Sequence, residues 1–262
     1  MHSTADSRYY PFIPLNVLHR IQGTALFYPH SADDLLEPIM LFAPFVTDFW
    51  FVDFSYFRSN TPADRVSPVL TGDEGFILND VAIEGPPIAE CERRIDQSKN
   101  PPKEYWFLEP CVRTEAYRYV ASGEVIRVHR RRGYSVSGFR KEDFVLGVFF
   151  YRRDSWEGST TPWLAVRNWH KRHKKRYQRR WFIHEVLDRL VPEGLLVTDG
   201  SRCEGEHNPY QELRRFHSSD SIGAEAVELA VPFRDDQDRE FSCVGYAGQG
   251  YGPTLVWRVK KP

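Results

Sequence analysis

Several carboxylates stand just past apolar runs of this chain, where a strand would end and a ligand cleft would open. Asp34 closes the stretch Tyr28-Pro29-His30-Ser31-Ala32-Asp33-Asp34, and Asp53 ends Asp48-Phe49-Trp50-Phe51-Val52-Asp53. Asp154 and Glu157 lie in Asp154-Ser155-Trp156-Glu157-Gly158, after the run Asp143–Tyr151, and Asp199 follows Leu195-Leu196-Val197-Thr198. A carboxylate so placed can orient a nucleophilic amine or hydroxyl, or take a proton from it. An acid about twenty residues beyond the first loop, as Asp53 is, commonly bonds the ribose of a nucleotide in an α/β sheet. The competing reading is plain: Asp, Ser and Gly are ordinary turn residues, and a strand-end aspartate can simply be solvated.

The loop after the first apolar run contains no glycine and carries Asp33 and Asp34 together. Phosphates seek bare backbone N–H groups at a helix N-terminus, and two aspartates there repel them. A P-loop or dinucleotide site is therefore disfavoured, while a cationic ligand is not. Equally, Ser31, Asp33 and Asp34 have the chemistry of a helix cap. The segment Arg167–Arg180, RNWHKRHKKRYQRR, holds eight Lys or Arg in fourteen residues with aromatics between them. Arg167, Lys171, Arg172, Lys174, Lys175 and Arg176 could neutralise phosphates of a nucleic acid or another polyanion, with stacking from Trp169 and Tyr177. A solvated basic face is the alternative.

Other chemistries find little support. The four cysteines are far apart with no Cys-x-x-Cys pair, and His170 and His173 sit among like charges, so no metal site is expected. No Gly-x-Ser-x-Gly elbow is present, and Gly245–Gly252 lies between strands with no helix after it, the wrong context for a phosphate cradle. A net charge of −1 gives no global attraction for nucleic acid or membrane. The N-terminal residues lack a signal-peptide pattern and the longest apolar stretch, Ile39–Val46, is too short to span a bilayer, so the expectation is a cytoplasmic protein without membrane contact.

The elements that must position these groups follow from periodicity. Thr24–Tyr28, Asp48–Asp53, Asp143–Tyr151 and Leu195–Thr198 are short apolar runs, as expected of parallel strands covered on both faces. Helices are predicted over Leu15–Arg20, from Leu35 to Phe42, over Ile88–Gln97, Arg180–Leu190 and Pro209–Phe216. Arg113–Val120 and Glu124–Arg130 read as a β-hairpin, and Glu240–Tyr246 with Thr254–Val259 as a closing strand pair. The expected class is α/β: a doubly wound, mostly parallel sheet with a C-terminal antiparallel strand pair and an inserted β-hairpin region. It would form a single domain over residues 1–262, with an irregular insertion at about 58–135.

With the segments in this order, the chain resembles the Rossmann-like class I methyltransferases, which use S-adenosylmethionine (SAM). The likeness is carried by the closing strand pair, by the helix-turn-strand run FIHEVLDRLVPEGLLVTDGS, and by the acid after the second strand. It covers about two-thirds of the chain, without the family's glycine loop, and residues 58–135 match nothing in it. The resemblance implies that Tyr28, Ser31, Asp34, Asp53 and Phe54 hold the cofactor, and that Asp154 and Glu157 orient the methyl acceptor. SAM suits the acidic loop, since it carries a sulfonium and an ammonium and no phosphate. Two other functions remain open: a non-enzymatic module that binds nucleic acid through residues 167–180, and a relative whose cleft is filled by its own side chains.

Overall fold

Apolar runs without polar alternation become the middle strands of one sheet. The computed structural model describes residues 10–58, 60–88, 91–97, 103–133, 135–152, 165–167, 179–201, 203 and 208–262. In chain order the elements begin with α1 (Leu15–Leu18), a 3-10 turn (His19–Ile21), β1 (Thr24–Pro29), α2 (Leu36–Phe42) and β2 (Val46–Asp53). Next come β3 (Phe76–Glu84), β4 (Cys91–Asp96), β5 (Lys103–Leu108), β6 (Cys111–Tyr119), β7 (Val125–Arg132) and α3 (Ser135–Lys141). Then follow β8 (Leu146–Tyr151), β9 (Ala165–Arg167), β10 (Arg179–Trp181), α4 (Phe182–Arg189) and β11 (Leu190–Thr198). The chain closes with a 3-10 helix (Gln211–Phe216), α5 (Gly223–Glu228), β12 (Phe233–Arg234), β13 (Glu240–Gln249) and β14 (Pro253–Lys260).

Ten strands form one sheet in the order β12-β13-β14-β11-β8-β1-β2-β7-β6-β3. The five in the middle, β11, β8, β1, β2 and β7, run parallel to one another. Both flanks are antiparallel: β7–β6–β3 on one side, β11–β14–β13–β12 on the other. Every residue of β1 and β8 is buried, which explains their unbroken apolar character. On one face Phe27, Phe149 and Leu196 pack under Phe139 of α3, Phe182 and Val186 of α4, and Leu213 of the 3-10 helix. On the other, Tyr28, Phe51, Phe150 and Val197 pack under Val17 of α1, Ile39 and Phe42 of α2, and Leu70 of the β2–β3 connection. Each such side chain taken out of water contributes roughly 1.5–3 kcal/mol.

The expected α/β class, a doubly wound sheet layered with helices, does not hold. The fold is mainly β, a single mixed sheet, and among the described residues only α2, α3 and α4 reach seven residues. The reason lies in the connections. β2 reaches its parallel neighbour β7 through an antiparallel excursion, β3 and β6, instead of a crossover helix. The helix expected at 88–97 is replaced by β4, which pairs with the aromatic run Tyr105-Trp106-Phe107 of β5; strand pairing there outweighs a weak helical preference. Pro209–Phe216 yields only a 3-10 turn. The hairpin β6–β7 is no insertion either, since β7 pairs along its length with β2 and continues the main sheet. No described helix is long and apolar enough to cross a membrane.

Candidate functional site

The carboxyl ends of β1, β2 and β8 meet at one edge of the sheet, and the loops leaving them are knitted by aspartates. Past Pro29 the chain turns sharply, with His30 (φ 57°) and Ala32 (φ 46°) both left-handed, a conformation that costs a residue with a Cβ about 1–2 kcal/mol. The turn is held from two sides. His30 N donates to the Val52 carbonyl (2.7 Å), and Ala32 N donates to Asp53 Oδ2 (3.0 Å). The other Asp53 oxygen accepts the backbone N–H and hydroxyl of Ser55. Asp53, only 7% exposed, thus locks the β1 and β2 loops together. Ser31 is also buried, and its hydroxyl bonds Tyr56 Oη at 2.8 Å. Phe54 is half-buried in the turn after β2.

Asp34 meets a cation supplied by the chain itself. Arg152, fully buried just after β8, donates from Nε to Asp34 Oδ2 (2.7 Å) and from Nη2 to Asp34 Oδ1 (2.6 Å). Nη2 also reaches Glu37 of α2, and Tyr28 Oη donates to Asp34 Oδ2 (2.8 Å). Burial alone would favour a neutral Arg152, but hydrogen bonds and charge from Asp34 and Glu37 more than offset it and keep the guanidinium protonated. The acidity of this loop is therefore matched internally at Asp34. Nor does the loop cap the helix: α2 starts at Leu36 behind Leu35, with no side-chain cap bond.

Beside this scaffold lies a cleft of about 630 Å³, within the roughly 300–1,000 Å³ usual for small-molecule sites. Its walls come from Ala32, Asp33, Leu35 and Leu36 on one side, from residues between Ser55 and Val69 on the other, and from Arg130 of β7. Tyr28, Ser31, Asp34, Asp53 and Phe54 do not line it; they brace the loops whose neighbouring residues, Asp33, Tyr56 and Phe57 among them, do. The Tyr56 phenol is pushed well above its usual value, first by burial, then by the charges of Asp53 and Asp33, against the opposing pull of Ser31 and Arg130.

The long connection from β2 to β3 has no strand or helix of its own among the described residues, and buried charges take the place of a backbone ladder. Arg113 Nη1 donates to the Ala63 carbonyl (2.7 Å), Arg130 Nη2 to that of Ser67 (2.9 Å), and Arg132 Nη1 to that of Phe57 (3.0 Å). Glu115, with no exposed surface, accepts Arg113 Nε (2.7 Å), Val69 N (2.9 Å), and the close donors Arg130 and Tyr117. Burial pushes the Glu115 carboxyl up, yet Arg130, Tyr117, Arg113 and the Val69 N–H together hold it below the usual range. Two guanidiniums facing one carboxylate leave this buried cluster with a charge of +1. Sequence reasoning passed over Arg130 and Tyr56. The signal for Arg130 was His129-Arg130-Arg131-Arg132: alternation in a strand sends some of three successive arginines to the covered face.

Two other constellations bring polar side chains together. Thr114 Oγ1, His129 and Asp48 form a line with contacts of 2.9 and 3.4 Å, but all three lie within paired strands whose N–H groups are engaged in the sheet, leaving no donors for an oxyanion. His184, Asp235 and Asp236 approach metal-ligand spacing. Asp235, however, already accepts four hydrogen bonds, from Gln237 N, Arg239 N, Arg239 Nη1 and Tyr210 Oη. His184 Nδ1 lies 2.9 Å from Gln237 Nε2, whose amide is oriented by Arg239 on its oxygen, so Nδ1 accepts and Nε2 carries the proton. That tautomer does not ligate a metal through Nε2. Asp199 is buried, bonding Ser201 and Tyr251 N, a turn role.

Asp154, Glu157, Lys171, Arg172, Lys174, Lys175 and Arg176 lie outside the described residues. Arg167 ends β9 and pairs in register with Arg179 of β10. Comparison with protein-family models, with curated proteins and with solved structures finds no match for this chain.

Proposed function

We propose that the protein binds a phosphate-free small molecule in the cleft between residues 32–36 and 55–69, and that this molecule is SAM, used for methyl transfer to an acceptor not yet identified. The observation that carries the proposal is the convergence on one cleft of a carboxylate without a side-chain partner among the described residues (Asp33), two aromatic side chains (Tyr56, Phe57) and a buried guanidinium (Arg130). SAM offers a cation for the first, a flat base for the second and a carboxylate for the third. Asp154 and Glu157, shortly beyond β8, would orient the acceptor. The test is a thermal-unfolding screen with SAM and S-adenosylhomocysteine. Ligand at a hundred times Kd adds about 2.7 kcal/mol of stability, and no shift at millimolar ligand removes the cofactor assignment.

The second reading is a nucleic-acid-binding module, favoured by the eight Lys or Arg among residues 167–180. It requires binding that weakens steeply with salt and is lost when Lys171, Arg172, Lys174, Lys175 and Arg176 become Gln. Binding that ignores salt would remove this reading.

A further inference from the structure

We infer that the cleft recognises an α-amino-acid zwitterion, with Arg130 meeting the carboxylate and Asp33 the ammonium. The inference rests on the cleft being a ligand site, as proposed above, but not on the ligand being SAM.

The floor of the cleft is unusual in its charge. Arg130 is 94% buried, 6% exposed, and still forms part of the wall. Its Nη2 is engaged by Ser67 and Glu115, whereas its Nε has no hydrogen-bond partner among the described residues. That Nε has almost no accessible surface, so what Arg130 offers the cleft is its charge and not the orphan donor. Glu115 does not cancel the charge, because it is shared between Arg113 and Arg130. A small anion such as a carboxylate is therefore favoured beside Arg130.

A second wall residue has the opposite sign. Asp33 is exposed, lines the same cleft, and makes no ion pair or side-chain hydrogen bond among the described residues. Its neighbour Asp34 is taken by Arg152, and Asp53 by the loops, so Asp33 is the carboxylate left for a ligand cation. Asp33, Tyr56 and Arg130 line the one cleft, so both charges are open to the same bound molecule. Apolar walls from Leu35, Val66 and Val69 between them suit an uncharged side chain.

Calorimetric titration of the full chain with chosen probes tests this. The probes are L-methionine, L-phenylalanine, 3-phenylpropionate (no ammonium), phenethylamine (no carboxylate), SAM and decarboxylated SAM. Zwitterionic probes should bind roughly ten- to a hundredfold more tightly than their single-charge analogues. Asp33→Asn, on an exposed side chain, should weaken the zwitterions while leaving 3-phenylpropionate unchanged; Arg130→Lys should weaken every carboxylate probe. If Arg130→Lys fails to fold, Asp33→Asn and the analogue pairs still decide. Free amino acids binding where SAM does not would support the zwitterion and remove the SAM assignment. SAM and decarboxylated SAM binding equally would overturn the zwitterion and keep the SAM site. Binding by none of the probes overturns both.

Discussion

Asp53 and Glu115 solve similar problems with a buried carboxylate. Asp53 gathers N–H donors from two loops, including Ala32 in its left-handed turn, and Glu115 gathers two guanidiniums and the Val69 N–H. Removing either leaves donors buried without acceptors. Asp53→Ala should cost about 2–4 kcal/mol in denaturant unfolding, and Glu115→Gln about 3–5 kcal/mol because Arg113 and Arg130 lose their counter-charge. His184 carries a pH dependence. Burial, aided by Arg239, holds its imidazole below the ordinary value of 6.5, against Asp236, Asp235 and Asp188. The unfolded chain then binds the proton more readily, so the contribution to stability is complete above about pH 6.5 and is lost as the pH falls below it. Unfolding midpoints measured from pH 8 to pH 5 should decline through that window, and the decline should shrink in His184→Gln; an unchanged slope would refute the assignment.

At the scale of elements, the parallel centre was legible because β1 and β8 are buried throughout, and the stretches Phe51–Val52 of β2 and Leu195–Val197 of β11 are buried and apolar as well. The strand-end acids were legible for the same reason: Asp53 interrupts such a run. The layering was not legible. Pro, Gly and charged residues from 58 to 104 read as irregular, and nothing local shows that Arg113, Glu115, Tyr117 and Arg130, across the sheet, hold the β2–β3 connection in place. Nor could periodicity tell that Arg152 would fill the acidic loop, since the pairing spans 118 positions. One element-level prediction concerns Gly147 in β8. A Cβ there would lie 1.9 Å from Thr24 Oγ1 and 2.7 Å from Thr24 Cβ, so the glycine lets β8 lie close against β1. Gly147→Ala should destabilise by about 3 kcal/mol, and Thr24→Ala in the same chain should recover part of that loss, both read from denaturant midpoints.

For the whole molecule, the ten-stranded sheet acts as a frame that brings three parallel strand ends and one antiparallel flank to a single cleft. The braces behind it, Arg152 with Asp34 and Glu37, and Asp53 with Ser55 and Ala32, leave the facing side chains Asp33, Tyr56 and Arg130 to meet a ligand. The most direct measurement is an NMR titration of the isotope-labelled chain with SAM and with L-methionine, following backbone amides. Saturable shifts concentrated at Ala32, Asp33, Ser55, Tyr56, Phe57 and Arg130 are the expected result. Shifts absent from these amides at millimolar ligand, or centred on another part of the sheet, would contradict the placement of the site.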